Sequence, residues 1–368
     1  VYTTSSIIDD DPYFDINTPY LSVWLNSEVG ISTGSPRSIE EIKNAINIQK
    51  KALDKQADKY GTLADAFIAI QTGIAWNLIY EPKHDRVVST VGRLWNEEYG
   101  GYCLFGWDNF FLSYVTSLFN KELAYSNIID HLHGKTESGF IPNDNRGNGS
   151  KSFDRSQPPV GSIMVKEIYK KYPSSWFLEL VFDDLLEWNR WWPKYRNNER
   201  LLSYGSSPAK NPFHEPVFMT KTAAGYESGM DDSPMYEGVP YNKKKNTLEL
   251  QDVGLNSLYI ADCKALAEMA EVLGRFKEKN ELLERSREYS SNMDMLWNDE
   301  NGIYLNYRTD IDTHSMRLSP TIFYPLLAEV GTKQKTIRIV DYFYDNDKFY
   351  GKWMLPSTSR DDPSFHRQ

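Results

Sequence analysis

Cysteine is scarce in this sequence, and long apolar runs are absent. The 368 residues include only Cys103 and Cys263, too few for a disulfide framework or a zinc site built on several thiolates. No stretch approaches the roughly 20 apolar residues that a membrane-spanning helix needs. Positive charge is also in deficit, because 41 Lys and Arg face 51 Asp and Glu, which gives a net charge of −10. The composition therefore argues against a membrane span and against nucleic acid as a partner.

Signatures of nucleotide, metal and nucleophile chemistry are missing as well. The sequence contains no G-x-x-x-x-G-K-[ST], no G-x-G-x-x-G and no G-x-S-x-G segment. Its six histidines show no metal-ligand spacing, so we expect neither a metal nor another cofactor. Both cysteines lie in apolar stretches, which favours buried free thiols.

Aromatic residues, in contrast, are abundant. Ten Trp, 24 Tyr and 17 Phe make up 14% of the chain. Most are expected in the core, but flat rings also stack on the apolar faces of sugars. The surplus is a mild indication of a carbohydrate ligand.

Helical periodicity dominates the chain from residue 37 onwards. Ser38 and Glu41 form a capping box before the first helix, and a second helix begins near Thr62 and ends near Tyr80. Residues 1–36 are predicted to be extended, as in the tail of a β-domain. Further helices are predicted at 108–120, 121–133, 158–172, 174–193, 247–273, 279–297, 320–330 and 333–345.

The predicted helices form pairs separated by long polar and aromatic loops. These loops cover 81–107, 134–157, 196–246 and 298–319, and loops of this length in a compact domain are usually functional. Strand-like alternation is scarce and no fixed repeat is present. We therefore predict an all-α toroid of helical hairpins with the loops gathered at one end.

The loops place carboxylates beside aromatic, amide and guanidinium groups. Asp108 follows Trp107 at a helix start, Arg155 precedes a Gln-Pro-Pro segment, and Glu227, Asp231 and Asp232 lie within six residues. Sugar hydroxyls need such partners, and glycosidic cleavage needs two carboxyl groups. Each cluster also has a structural interpretation: Asp108 as a helix cap, Arg155 as an ion-pair partner, and the 227–232 segment as a solvated acidic turn.

Five of these segments carry a family resemblance. In this order, they resemble motifs of the trehalases and of glycoside hydrolase family 63, which includes processing α-glucosidases. The segments are Gly92-Arg93, Gly106-Trp107-Asp108-Asn109-Phe110-Phe111, Gly139-Phe140-Ile141-Pro142-Asn143, Arg155-Ser156-Gln157-Pro158-Pro159 and Glu227-Ser228-Gly229-Met230-Asp231.

The resemblance implies an (α/α)6 barrel over residues 37–368 and an inverting, exo-acting α-glucosidase that hydrolyses oligosaccharides. By its position in the motif, Asp231 resembles the general acid, for which we expect a buried carboxyl group. The residues that resemble the lining of the first sugar subsite are Arg93, Trp107, Asp108, Asn143, Arg146, Arg155, Gln157 and Glu227. A trehalase and a non-catalytic carbohydrate-binding protein are the alternatives.

One part of the family pattern is not found in this sequence. These families carry their general base, a glutamate, beyond a Trp-Arg-Gly segment near the C-terminus. That segment would follow Gln368, so we expect the base and the last barrel helices to lie beyond the given residues.

Overall fold

The computed structural model describes residues 1–7, 22–92, 101–209 and 219–365. These residues form two compact units, Val1–Gly73 and Ile74–Gln368. The domain division predicted at residue 36 stays a prediction.

The first unit contains an antiparallel strand pair and two helices. The strands are β1 (Tyr2–Thr3) and β2 (Ile31–Ser32), and the helices are α1 (Ile39–Ala57) and most of α2 (Ala64–Trp76), joined by a 3₁₀ segment at Asp58–Leu63. The predicted capping box is confirmed: the Ser38 hydroxyl accepts the Glu41 amide, and the Glu41 carboxylate accepts the Ser38 amide.

Helices also dominate the second unit. They are α3 (Gly106–Thr116), α4 (Lys121–Leu132), α5 (Gly161–Lys171), α6 (Ser175–Tyr195), α7 (Lys221–Glu227), α8 (Val253–Val272), α9 (Phe276–Asn292), α10 (Tyr324–Leu327) and α11 (Lys333–Tyr344). Short 3₁₀ segments lie at Pro234–Tyr236, Met293–Leu296 and Pro320–Phe323. No helix in the described ranges is long and apolar enough to cross a membrane.

The helices of this unit pack as successive hairpins. α3 contacts α5, α5 contacts α8 and α8 contacts α10, while α4, α6 and α9 pack behind them. α8 is buried along most of its length, as expected for an inner helix. Trp188 and Trp192 of α6 and Phe110 of α3 belong to the same continuous core. The predicted arrangement of helical hairpins is confirmed.

Short antiparallel strands occur in the long loops. They are β3 (Leu78–Glu81) with β4 (Arg86–Ser89), β5 (Cys103–Phe105) with β6 (Asp144–Arg146), β7 (Asn197–Asn198) with β8 (Leu201–Leu202), β9 (Tyr241–Asn242) with β10 (Thr247–Leu248), β12 (Trp297–Asn298) with β13 (Ile303–Tyr304), and β11 (Leu250–Gln251) with β14 (Tyr307–Arg308), which also pairs with β15 (Thr313–His314).

Several helix predictions differ from the structure. The second helix, predicted to end near Tyr80, ends at Trp76, because Leu78–Glu81 form β3. The helix predicted over 320–330 is a 3₁₀ segment followed by the single turn of α10. The helix predicted from residue 247 begins at Val253, because Leu248 and Leu250 lie in strands and Asp252 caps the helix by accepting the Leu255 amide. α7 lies inside the predicted 196–246 loop, since seven residues are too few to show helical periodicity in the sequence. It begins where the Thr220 hydroxyl accepts the Ala223 amide.

Asp252 is a buried carboxyl group within this fold. It has no exposed surface, and burial raises its pKa to about 6. Its hydrogen-bond donors, the Leu255 and Gly254 amides and the Tyr236 hydroxyl, only partly offset the loss of hydration. A carboxyl group with a raised folded-state pKa binds its proton more tightly in the folded state. Its contribution to stability is therefore present below about pH 4 and lost as the pH rises through about 6.

We predict that Asp252→Asn removes this pH dependence. Asn keeps an oxygen for the Leu255 amide but carries no charge. The free energy of unfolding of the variant, relative to that of the wild type, should therefore rise between about pH 4 and pH 7, by up to about 3 kcal/mol. Urea unfolding at several pH values measures the difference. Asp341→Asn, at an exposed site on α11, is the control. Parallel wild-type and Asp252→Asn profiles would contradict the prediction.

Candidate active site

Three loops meet at the N-terminus of α3. Phe105 of β5 pairs with Asp144 of β6, and the Gly106 amide donates to the Asn143 carbonyl at 2.9 Å. The Asn143 amide in turn donates to the Arg155 carbonyl at 3.2 Å. The Asn143 side-chain amide donates to the Tyr226 carbonyl at 3.1 Å, which connects the C-terminal end of α7. Four of the five motif segments are therefore neighbours.

Gln157 fixes the position of Trp107. Its side-chain oxygen accepts the Trp107 backbone amide at 2.9 Å. A Cβ atom at residue 106 would lie 2.8 Å from the Gln157 Cβ, so this approach requires Gly106. The Gln157 side-chain NH2 group donates to no other residue in the described ranges, and it remains able to bind a ligand.

Arg155 is almost fully buried, with 1% of its surface exposed. Its Nη1 contacts Asp154 at 2.9 Å, its Nη2 lies 3.7 Å from Asp144, and its guanidinium covers the Tyr226 ring at 5.3 Å. Arg146 contacts the other Asp144 oxygen at 2.6 Å. Asp144 thus lies between two guanidinium groups.

Glu227 forms a buried ion pair with Arg196, and neither side chain has exposed surface. Arg196 Nε donates to Oε2 at 2.5 Å and Nη2 donates to Oε1 at 2.8 Å. The backbone amides of Ser156 and Gly205 supply two further bonds, at 2.9 and 2.6 Å. Burial raises the pKa of Glu227, and Arg196 opposes that rise. The Glu227 carboxylate thereby joins α7 to the chain at Ser156, Arg196 and Gly205.

Asp231 lies in the turn after α7, and its side chain is exposed. The expectation of a buried carboxyl group at this position is wrong, because α7 ends at Glu227 and Asp231 lies in an exposed turn after Gly229, where φ is +67°. The turn still adjoins the other loops, since a Cβ atom at residue 229 would lie 2.6 Å from Trp107 Cε2.

Asp108 lies in the first turn of α3 and does not cap it, because the helix begins at Gly106 after Phe105. Burial raises the pKa of Asp108, opposed only by a backbone hydrogen bond of the same residue. No side chain or amide of another described residue donates a hydrogen bond to its carboxylate. Asp108 therefore retains unused acceptor capacity next to Trp107.

The structure thus brings Trp107, Asp108, Asn143, Arg155 and Gln157 together. Arg93 lies outside the described residues. Asp154, Arg196 and Tyr226 also belong to this region, and they were not predicted from the sequence. Asp154 and Tyr226 adjoin recognised motif residues, which was an available signal, whereas no local pattern marks Arg196 as the partner of Glu227.

The remaining chemical groups give no sign of a metal site. Cys103 and Cys263 are buried free thiols, as predicted, and burial raises the pKa of Cys263 to about 12. In the part of the chain that the structure describes, no group of His, Cys, Asp and Glu is arranged to hold a metal ion.

Comparison with solved structures supports the same kind of fold. A glycoside hydrolase family 63 mannosylglycerate hydrolase from Thermus thermophilus, in complex with glucose, is 18% identical over 72% of this chain and 74% of its own, with a TM-score of 0.59. Neutral trehalase from Saccharomyces cerevisiae is 17% identical over 77% of this chain and 60% of its own, with a TM-score of 0.58. The (α/α)6 barrel is therefore confirmed.

The fold and the matching family model define a glycoside hydrolase. The model of the mannosylglycerate hydrolase MGH1-like glycoside hydrolase domain matches residues 83–368, and the chain belongs to this family. The predicted similarity to family 63 and the trehalases is confirmed. No curated protein sequence gives a significant match.

We predict that Gly229→Ala disturbs Trp107. The new methyl group would meet the indole, and φ of +67° is strained for alanine. The free energy of unfolding should fall by roughly 1–3 kcal/mol, as measured by urea titration. Gly225→Ala is the matched control, because its Cβ would come no closer than 3.9 Å to Asp231 Cα and α7 accommodates alanine. Equal stability of the two variants would contradict this role of Gly229.

We predict a large stability loss for Glu227→Gln. The substitution leaves the Arg196 guanidinium buried without its counter-charge, which costs about 3–5 kcal/mol. Thermal and urea unfolding measure the loss. Glu237→Gln is the control, because Glu237 pairs with Arg317 at the surface and is well exposed. A similar small effect for both substitutions would show that the Glu227–Arg196 pair is dispensable.

Proposed function

We propose that this glycoside hydrolase cleaves terminal α-glucosidic bonds of oligosaccharides with inversion at the anomeric carbon. The observation that carries the proposal is Asp108: a partly buried carboxylate, without a donor from any other described residue, beside the half-buried Trp107 ring. A carboxylate in this state is costly unless a ligand supplies the missing donors, and sugar hydroxyls are such donors.

In this proposal the first sugar subsite is formed around the α3 N-terminus. Trp107 stacks on the apolar face of the sugar ring, and Asp108 accepts hydroxyl hydrogen bonds. Gln157 donates through its side-chain NH2 group, and Asn143, Arg155 and Arg93 complete the polar lining, whereas Arg146 lines a neighbouring cavity.

Glu227 has a different role from the direct sugar contact that the family resemblance implies. Its two oxygens already accept four donors, so we propose it as a positioning residue. It fixes the Ser156 amide, and therefore the Arg155 and Gln157 side chains on either side.

Asp231 is the proposed general acid. It protonates the departing glycosidic oxygen, while a second carboxylate about 6.5–9.5 Å away activates water on the opposite face of the ring. Its exposed position in the turn beside Trp107 is consistent with a group that meets the leaving sugar at the outer side of the subsite.

A second candidate substrate is mannosylglycerate, because the matching family and one similar structure carry that name. Glucosides and mannosides differ at the orientation of the C2 hydroxyl group. Full-length protein assayed with an α-linked glucose oligosaccharide, trehalose and mannosylglycerate separates these substrates by their released sugars. Release of mannose alone would replace the glucoside proposal.

We predict that Asp108→Asn weakens glucose binding at least about tenfold, because an amide cannot accept hydrogen bonds at both terminal atoms. Calorimetric titration of wild type, Asp108→Asn and the exposed control Asp341→Asn measures this. Equal glucose affinities for all three proteins would contradict the subsite.

We predict that Asp231→Asn in the full-length protein lowers hydrolysis of a natural α-glucoside by at least about 10²-fold. Glucosyl fluoride should be affected much less, because fluoride leaves with little protonation. NMR of the first-formed sugar should show β-glucose. Equal slowing of both substrates would refute Asp231 as the acid, and α-glucose as the first product would refute inversion.

A further inference from the structure

A cavity of about 500 Å³ lies apart from the Trp107–Asp108 subsite. Its wall carries six basic side chains, from Lys83, His84, Arg86, His133, Arg146 and Lys151. Asp130 is the one carboxylate among its lining residues in the described ranges. We call it the basic cavity. A concentration of positive charge is unexpected in a chain with a net charge of −10.

The basic cavity lies next to the candidate active site along one strand pair. Its walls are the β3–β4 hairpin turn, the C-terminal end of α4, and the turn that follows β6. In the β5–β6 ladder, Phe105 pairs with Asp144 beside the subsite, and Cys103 pairs with Arg146 at the cavity. The two sites are thus separated by two residues of one strand.

Two of the four permanent cations are already neutralised. Arg86 contacts Glu81 at 3.1 Å and Asp130 at 3.3 Å, and Arg146 contacts Asp144 at 2.6 Å. Lys83 and Lys151, in contrast, have no carboxylate within ion-pair distance in the described parts of the chain. The charge available to a ligand therefore resides mainly on these two lysines.

Of the two lysines, Lys151 gives the stronger evidence for an anion site. Its side chain is half-buried, and its ammonium donates to the Gly134 carbonyl at 2.9 Å. Burial lowers the pKa of Lys151, and no carboxylate of the described residues offsets that effect. A partly desolvated ammonium with two further N–H donors is stabilised by an anion placed against it.

Two histidines, His84 and His133, also line the cavity. His84 contacts Glu81 at 2.5 Å, and His133 lies 3.9 Å from Asp130. Both side chains are exposed. They are secondary to the lysines because their carboxylate neighbours compensate them.

We propose that the basic cavity binds a compact oxyanion, a phosphate or carboxylate group, between Lys83 and Lys151. The cavity is much larger than a bare phosphate and falls within the size range of small-molecule sites. An oxyanion carried on a sugar therefore fills it better than the free ion. This assignment concerns binding and does not depend on the proposed hydrolytic reaction.

Calorimetric titrations with inorganic phosphate, glucose 6-phosphate and neutral glucose test the proposal. Lys151→Gln and the exposed Lys83→Gln each remove one cation, and each should weaken oxyanion binding about tenfold or more. Lys277→Gln removes an exposed charge on α9 and is the matched control, for which we expect wild-type affinity. Because Lys83 lies on an exposed turn, its variant keeps the test valid if Lys151→Gln folds poorly.

The outcomes separate the two sources of the oxyanion. If the lysine substitutions weaken the binding of phosphate and of glucose 6-phosphate alike, the cavity takes the free ion. If wild type binds only the phosphorylated sugar, and the substitutions weaken that binding, the oxyanion must be attached. If wild type binds neither, or if Lys151→Gln and Lys83→Gln match Lys277→Gln, the proposal is wrong. Glucose bound at the Trp107–Asp108 subsite should be unaffected by all three substitutions.

Discussion

The organisation of the site depends on the buried ion pair between Glu227 and Arg196. A charged pair without solvent contact is tolerated only when its hydrogen-bonding capacity is satisfied, and here the carboxylate accepts four donors while the guanidinium also reaches the Asp154 carbonyl at 3.1 Å. The donors come from three separate positions along the chain, at Ser156, Arg196 and Gly205. One electrostatic requirement therefore fixes the relative positions of the segments that carry Arg155, Gln157 and Asp231, although none of those side chains takes part in the pair.

The buried and partly buried carboxylates of this region fall into two physical classes. Glu227 and Asp144 are each met by guanidinium groups, so their charge serves to hold loops in place. Asp108 is partly desolvated but receives no donor from another described residue. A partly desolvated carboxylate without donors lowers the free energy of unfolding, and a bound ligand rich in hydroxyl groups supplies the missing hydrogen bonds. The same contrast distinguishes the paired Arg86 from Lys151, which has no carboxylate partner among the described residues of the basic cavity. Both proposed ligand sites thus contain a partly buried charged group that the described residues do not fully pair.

Much of the fold could be predicted from the sequence because the signals of a helix, its cap and its apolar spacing, lie within a few residues of one another. The capping box at Ser38 and the apolar spacing of α4, α6 and α11 depend on residues within a few positions of each other, and the structure reproduces them closely. α7 and the strands that replace the start of the helix predicted at 247 could not be read in this way. β11 and α7 have partners far along the chain, because Leu250 pairs with Arg308 and Glu227 with Arg196.

The sequence by itself determined the helical architecture, the free thiols and the order of motifs that marks a glycoside hydrolase, because periodicity, composition and short motifs are properties of neighbouring residues. Only the tertiary structure decided how each polar group is used. Asp231 is exposed, whereas the Glu227 carboxylate is buried and its two oxygens already accept four hydrogen bonds, although the two residues lie four positions apart in one acidic segment. Burial and pairing are set by which distant side chains and amides reach a carboxylate, and chain folding alone determines those distances.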